Sequence, residues 1–510
     1  MQQQNPGPSN YHLEPMVLSF PSKRLRRLGT VPDLQRLLYA VRAYLSPVLV
    51  FLLPSFVQRW LWPDIFPPRR LSSTSWLDGL RGVAAVPVIL LHHTCLHFGS
   101  YSLPWGVENE GELASPIKLP FVRLVFSGDV MVHLFFIISG FAVSYKPLQC
   151  VRRGDLDALA RTVSSTAFRR GFRLFLPAFA CCLGLAVLSR LGWVAQPPRL
   201  PTLAEQLWDL GTVCWKIGAV MPWAWDAFDQ PAYNYALWSI PIEYSCSLLL
   251  LVVVVGLSRL KPGLRLAFLL ALVACCFKAG HWGAAEFLVG MGLAEANLIG
   301  EATRDARGKA DDDLPLSEDT LKPALFPSRP HVSARPTARL VVNAVLLGNL
   351  IFGLFLAGWT SSRDAVSRAP GLSWFYSRTV EPYWSGEERA ALNCWLFVAA
   401  VQIMLALQQI KPLQRPFVTP VAQYLGDISF SIYVVHVPWV HESGPVWMPY
   451  VWAMVGGPDN LGVVRRLLAW LLSVVVLFIP IVWSGDVFWR LVDRNCVRFA
   501  RWFEALCVKA

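Results

Sequence analysis

Ten stretches of about 20 residues run nearly free of charge through this chain, near 77–97, 129–146, 174–193, 237–258, 263–280, 282–300, 339–360, 392–411, 421–441 and 463–485. A helix rises about 1.5 Å per residue, so roughly 20 apolar residues match the hydrocarbon thickness of a bilayer. Inside hydrocarbon every backbone N–H and C=O must be satisfied within the segment, which selects the helix for isolated apolar runs. The expected fold class is therefore all-α, a polytopic membrane protein with about ten transmembrane helices. Of 510 residues 54% are apolar and 16% charged, against about 25% charged in soluble domains. The 22 tryptophans suit a protein with two membrane interfaces. An ordinary soluble enzyme, a disordered chain and a coiled coil are excluded.

The run 44–57 is interrupted by Pro47 and Pro54, and 31–62, with Arg36, Arg42 and Arg59 among leucines, reads as one or two interfacial helices. The basic cluster from Lys23 to Arg27 is followed by no clean apolar segment with a small-residue cleavage site, so no cleavable signal peptide is expected. With a cytoplasmic N-terminus, 33 of the 46 Lys and Arg fall on or beside inner segments and 12 on outer ones, Arg81 lying within the first span. Basic residues favour the cytoplasmic side, so both termini are expected there. The same asymmetry accounts for much of the net charge of +12 without a nucleic-acid partner.

The outer loop 194–236 carries Trp208, Trp215, Trp223 and Trp225 with three aspartates, and reads as ordered. It is either an interfacial aromatic belt or a cap over an outward-facing pocket. Residues 301–338, with Asp311, Asp312, Asp313 and several prolines, read as a mobile cytoplasmic linker. The expected organisation is an interfacial N-terminal segment 1–74, a membrane domain 75–489 and a cytoplasmic tail 490–510. The 11 cysteines lie mostly within apolar runs at no metal-ligand spacing, so they read as core residues and no metal site is expected.

Ionisable groups inside spans are expensive and point to function. Arg81 and His92 are eleven residues apart in the first span, which places them on one helix face, roughly 16 Å apart along the axis. His93 points about 100° away and is the weaker candidate. In the second span Ser139 and Gly140 read as a close-packing pair. The loop expected after it ends in Phe168-Arg169-Arg170-Gly171-Phe172-Arg173. These arginines either enforce topology or hold a polyphosphate, whose oxygens guanidinium forks match. Glu243 follows Pro241 in the fourth span and needs a cation or a proton; Arg81 or His92 is the expected partner. The ninth span, Ile428-Ser429-Phe430-Ser431-Ile432-Tyr433 with His436, is rich in groups that hydrogen-bond across helices.

Taken together, these runs resemble the acyltransferase-3 family of integral-membrane acyltransferases, in its fungal form. The matching pieces are Leu77-Asp78-Gly79-Leu80-Arg81-Gly82 with His92, the run Leu134 to Phe141, Arg169-Arg170 with Arg173, Leu237-Trp238-Ser239 with Glu243, and Ile428 to Tyr433 with His436. Pro177 and His133 depart from the pattern of many relatives. The resemblance implies transfer of an acyl group, often acetyl, from acyl-CoA as co-substrate to an alcohol, with no permanently bound cofactor. Carried onto this chain, it implies His92 and Arg81 as catalytic residues and Arg169, Arg170 and Arg173 as those holding the donor; Glu243 joins the catalytic set on its own buried charge.

The residues fit that chemistry independently. A thioester needs chiefly alignment with a hydroxyl and removal of its proton, and a histidine is the side chain suited to general-base work near neutral pH. The expected partners are acyl-CoA, a hydroxyl-bearing small molecule or glycan, and the lipid bilayer. The expected location is the endoplasmic reticulum or another endomembrane, with the plasma membrane as the alternative. A secondary transporter is the competing reading, because charges near the midplane also mark permeases.

Overall fold

The structure, a computed structural model, describes residues 49–62, 71–109, 114–219, 231–312, 336–384, 389–458 and 462–508. The chain divides into two compact units, Met1–Arg69 and Arg70–Ala510. In the first, the described part holds the short helix α1 (Ser55–Leu61), entered through Pro54 and leaving Trp60 exposed. The rest of the expected interfacial segment lies outside the described residues.

In the second unit all regular structure among the described residues is helical, with α2 (Ser75–His97), α3 (Gly128–Arg153), α4 (Leu156–Arg190), α5 (Leu203–Ala219), α6 (Ser239–Gly256), α7 (Pro262–Lys278), α8 (Trp282–Asp312), α9 (Pro336–Leu356), α10 (Ala390–Gln409), α11 (Pro420–Pro438), α12 (Gly444–Val455), α13 (Val463–Phe488) and α14 (Arg494–Cys507) as the main elements. Each of the ten expected spans coincides with one of these helices. Among the described residues, six segments are long and apolar enough to cross a membrane: α2, α3, α4, Tyr235–Gly256, α10 and Val463–Cys507. The others fall short for visible reasons. α7 has 17 residues and the apolar part of α9, Leu340–Leu356, is equally short. α8 carries Glu286 and Glu295, and α11 carries Gln423, Asp427 and His436.

Two expectations are corrected. The loop expected between the second and third spans is helical: α3 runs on to Arg153, and α4 begins at Leu156. Only Gly154, at a φ of 73°, and Asp155 intervene, and the Asp155 carboxylate caps α4 by accepting the Ala158 N–H at 2.8 Å. The linker expected from residue 301 is likewise helical as far as Asp312; its remainder, 313–335, lies outside the described residues.

Two crossings set the frame, and both depend on missing side chains. Where α2 meets α11, a Cβ on Gly82 would lie 2.2 Å from the Gly426 nitrogen, and one on Gly426 would lie 2.4 Å from the Asp78 carbonyl oxygen. Where α3 meets α8, a Cβ on Gly140 would lie 2.3 Å from the Phe287 carbonyl oxygen. Beyond the first crossing, Ala85 and Ile89 of α2 pack with Ile428 and Ile432 of α11 and with Leu477 and Ile481 of α13. Several ionisable groups within the helices are paired with one another, which offsets the cost of burying their charge. His133 meets Glu286 at 2.5 Å, and Glu295 holds both Arg265 at 2.9 Å and Arg152 at 3.2 Å.

Within the loop expected on the outer side, α5 leaves Trp208 and Trp215 81% and 75% exposed, the exposure that an interfacial aromatic belt requires. Trp223 and Trp225 lie outside the described residues. At the chain's end α14 packs its aromatic face on α4, with Phe499 and Phe503 against Phe172, and Phe503 also against Phe168.

Candidate active site

Helices α2 and α11 run in the same direction, because Arg81 meets Gly426 and Ser429 while His92 meets His436. They carry two polar clusters, one at each end of a shared face. Residues 429, 433 and 436 follow the i, i+4, i+7 spacing that gives one helical stripe, and this stripe joins the two ends.

At the first end, the Arg81 Nε donates to Ser429 Oγ at 2.9 Å and one terminal nitrogen to the Gly426 carbonyl at 3.3 Å, with the Asp78 carboxylate 3.8 Å away. The arginines of α4 diverge because α4 is a continuous helix. Arg170 turns inward, donating to Glu243 Oε1 at 2.7 Å and to Ser247 Oγ at 3.0 Å, both on α6. Ser139 of α3 donates to the same carboxylate oxygen at 3.0 Å. Arg169 turns the other way, to Glu504 of α14 at 3.1 Å. Arg173 makes no ion pair within 4.0 Å among the described residues, and stands within electrostatic reach of Arg81 and Asp493. The cluster thus holds Arg81, Arg170, Arg173 and Glu243, and leaves one cation without a direct partner. Glu243 pairs with Arg170 rather than with Arg81 or His92, as the sequence had led one to expect.

At the second end, His92 Nδ1 lies 3.0 Å from the Tyr235 hydroxyl, which also lies 3.2 Å from His441 Nε2. The ring of His436 is 5.2 Å from that of His92, centroid to centroid. His436 donates from Nδ1 to the Tyr433 carbonyl at 2.7 Å, so in its neutral form Nε2 is an acceptor. That nitrogen is buried and has no hydrogen-bond partner among the described residues. Tyr433 donates to the Ala236 carbonyl and shares a 2.7 Å hydrogen bond with Ser239, which ties α11 to the start of α6. His93 faces away, bonded to Ser473 of α13 at 2.7 Å and stacked near Trp447. His133 pairs with Glu286 outside both clusters.

A cavity of about 260 Å³ adjoins the second end, lined by Tyr235, His441, Glu442, Asn234 and Gln196 among others. Glu442 accepts the backbone N–H groups of Ala195 and Gln196 at 2.6 and 3.0 Å, fastening the segment after α4 to the wide turn Trp439–Ser443.

Several participants escaped the sequence reading. Ser139 was legible only as a packing residue, yet it bonds Glu243. The stripe Ser429, Tyr433, His436 carries a readable helical spacing. Tyr235 and His441 are 206 residues apart, and no local pattern joins them. Asp493 and Glu504 belong to a segment read as a tail.

A family model described as an acyltransferase domain matches residues 74–490. The O-acetyltransferase PaAT-1 of Phomopsis amygdali is 29% identical over 459 residues, covering 85% of this chain and 85% of its own. Acyltransferase R4 of a Phoma species is 24% identical over 472 residues, or 84% of this chain and 95% of its own. Acyltransferase clz18 of Cochliobolus lunatus is 25% identical over 483 residues, or 84% and 96%. No solved structure matches the chain significantly. A match across so much of the chain, on helices built to lie in a bilayer, establishes the assignment: the chain belongs to the acyltransferase-3 family and is an integral-membrane acyltransferase.

Proposed function

We propose that this protein moves an acyl group, acetyl in the first instance, from acyl-CoA to a hydroxyl of a small metabolite or glycan. The observation that carries the reading is the separation of two clusters along one helix face, with a spare cation at one end and a histidine among hydrogen-bonding groups at the other. Eleven residues of helix separate Arg81 from His92, roughly 16 Å, a span suited to the pantetheine arm that separates the phosphates of coenzyme A from its sulfur. Arg173 and Arg81 then receive phosphate oxygens, and Arg170 is held in place by Glu243. On this reading Arg81, expected from the resemblance as a catalytic residue, lies three turns from His92 and serves the donor.

At the other end, His92 Nε2 removes the acceptor's hydroxyl proton while the oxygen attacks the thioester carbon. The tetrahedral intermediate collapses with cleavage of the C–S bond, and the proton passes from His92 to the departing thiolate. The reaction is direct transfer within one ternary complex, without an acyl-enzyme. The arginine end faces the cytoplasm, where acyl-CoA is available, with ten spans and both termini on that side. An endomembrane such as the endoplasmic reticulum is the compartment. The transporter alternative finds no support among the three relatives, each named as an acyltransferase or acetyltransferase.

The test compares a deletion strain with complements carrying the wild type or His92→Ala at equal protein level, by untargeted mass spectrometry. Loss of one compound in the deletion and in His92→Ala, with accumulation of a relative lighter by one acyl group, is the expected result. A wild-type profile from His92→Ala overturns the base assignment. Altered distribution of a solute with no change in acylation overturns the enzymatic reading.

A further inference from the structure

Tyr235 stands between two imidazoles. Its hydroxyl lies 3.0 Å from His92 Nδ1 and 3.2 Å from His441 Nε2, and its ring meets both edge-on, at centroid distances of 5.1 and 5.3 Å. A phenol has a single proton, so it donates to one histidine and accepts from the other. Three separate elements build the chain: α2, the 3-10 turn Tyr235–Trp238, and the turn Trp439–Ser443. Glu442 fixes the last of these through its bonds to Ala195 and Gln196. Tyr235 and His441 both line the cavity of about 260 Å³, whereas His92 lies behind Tyr235.

We propose that Tyr235 and His441 are positioning residues that set the proton on His92. His92 Nδ1–H donates to the Tyr235 oxygen, and the Tyr235 O–H donates to His441 Nε2, which leaves the His92 Nε2 lone pair free. The inference rests on the reading of His92 as general base and deepens it. When Nε2 takes the hydroxyl proton and the new C–O bond forms, the Nδ1–H of the resulting imidazolium donates more strongly to Tyr235, whose own proton is drawn toward His441. When the C–S bond breaks, the Nε2 proton passes to the thiolate and the chain returns to its starting state. No proton is gained or lost overall. A carboxylate often orients a catalytic histidine; a neutral imidazole reached through a phenol does so without placing another anion at membrane depth.

The experiment uses membranes containing the full-length protein, the acyl-CoA that matches the mass gained in the strain comparison, and small-molecule extract of the deletion strain as acceptor probe. Tyr235→Phe, which removes both hydrogen bonds of the hydroxyl and with them the one that His92 makes, is expected to lower the maximal rate about tenfold with an unchanged KM for acyl-CoA. His441→Gly is expected to fall by about the same factor. Added imidazole, entering through the cavity, restores transfer by His441→Gly and leaves Tyr235→Phe unchanged. Wild-type rates in both variants beside an inactive His92→Ala overturn the chain but leave the base in place. A slow His441→Gly that imidazole does not restore also overturns it, because that pattern belongs to a structural role. Full activity of His92→Ala overturns the reading beneath it.

Discussion

Arg170 and Glu243 join α4 to α6 through a 2.7 Å ion pair whose side chains are only 11% and 20% exposed. The carboxylate oxygen that receives Arg170 also receives Ser139, and Arg170 bonds Ser247 as well. Removing one member strands the other. Glu243→Gln is expected to destabilise the protein by about 3 kcal/mol, the lower part of the range for breaking a buried pair. The Arg170→Gln, Glu243→Gln double variant is expected to lose less than the two single changes added together. Thermal unfolding in detergent measures both, and strict additivity would show the two residues to be uncoupled.

Arg173 and Arg169 sit one helical turn apart, but only Arg169 is neutralised by a carboxylate, that of Glu504 at 3.1 Å. Arg173→Gln is therefore expected to raise the KM for acyl-CoA by about ten- to a hundredfold, the worth of one or two charge-assisted hydrogen bonds. Arg169→Gln is expected to raise it less. With an acyl-pantetheine donor, which lacks the nucleotide phosphates, the Arg173 variant should match the wild type. A penalty of equal size with both donors would remove Arg173 from the phosphate site.

The crossing of α2 and α11 leaves no room for a methyl group at Gly82, where a Cβ would meet the backbone nitrogen of Gly426 at 2.2 Å. Gly82→Ala is expected to force the helices apart and abolish activity. Gly184, an exposed helical position with nothing within 4 Å of a built Cβ, is the control. Gly184→Ala is expected to be neutral or to stabilise by about 0.5–1 kcal/mol through helix propensity. Fluorescence-detected size exclusion and transfer rates distinguish the two, and a fully active Gly82→Ala would mean that the crossing is loose.

Glu295 is fully buried and holds Arg265, itself 2% exposed, together with Arg152, which is 22% exposed. Glu295→Ala leaves two guanidinium groups without this partner and is expected to cost about 3–5 kcal/mol. Arg152→Ala keeps the buried Arg265–Glu295 bond and is expected to cost about 1 kcal/mol. Unfolding midpoints of the two variants report the difference; equal losses would deny the deeper pair its larger share.

The sequence disclosed much of this architecture because hydrocarbon imposes a simple rule, long apolar runs with rare charges, that survives without any knowledge of packing. The direction of the helices was also implicit. Spans one and nine both point outward in the charge-based topology, and α2 and α11 do run parallel. What the sequence withheld was choice among partners. Glu243 plainly required a cation, and Arg81 or His92 was the partner expected from the sequence; only the rotation of α4 decides that Arg170 faces it. The arginines of α4 looked like a single patch while they were assigned to a loop; on a continuous helix they fan out toward Glu243, Glu504 and Asp493. The assembly of His92, Tyr235 and His441 was invisible, because hydrogen bonds between distant segments leave no periodicity.

The Arg81 side chain waits a long time for its partners. The oxygen of Gly426 that receives it lies 345 residues downstream, which at about 5–20 residues per second corresponds to roughly 17–70 s of synthesis. Throughout that interval α2 is already made while its parallel neighbour does not exist, and the guanidinium has only Asp78 nearby on its own helix. The Arg81 contacts with α11 are therefore completed late in biosynthesis. A protein truncated before α11 lacks the Gly426 and Ser429 oxygens, so its Arg81 keeps only Asp78 of these three partners.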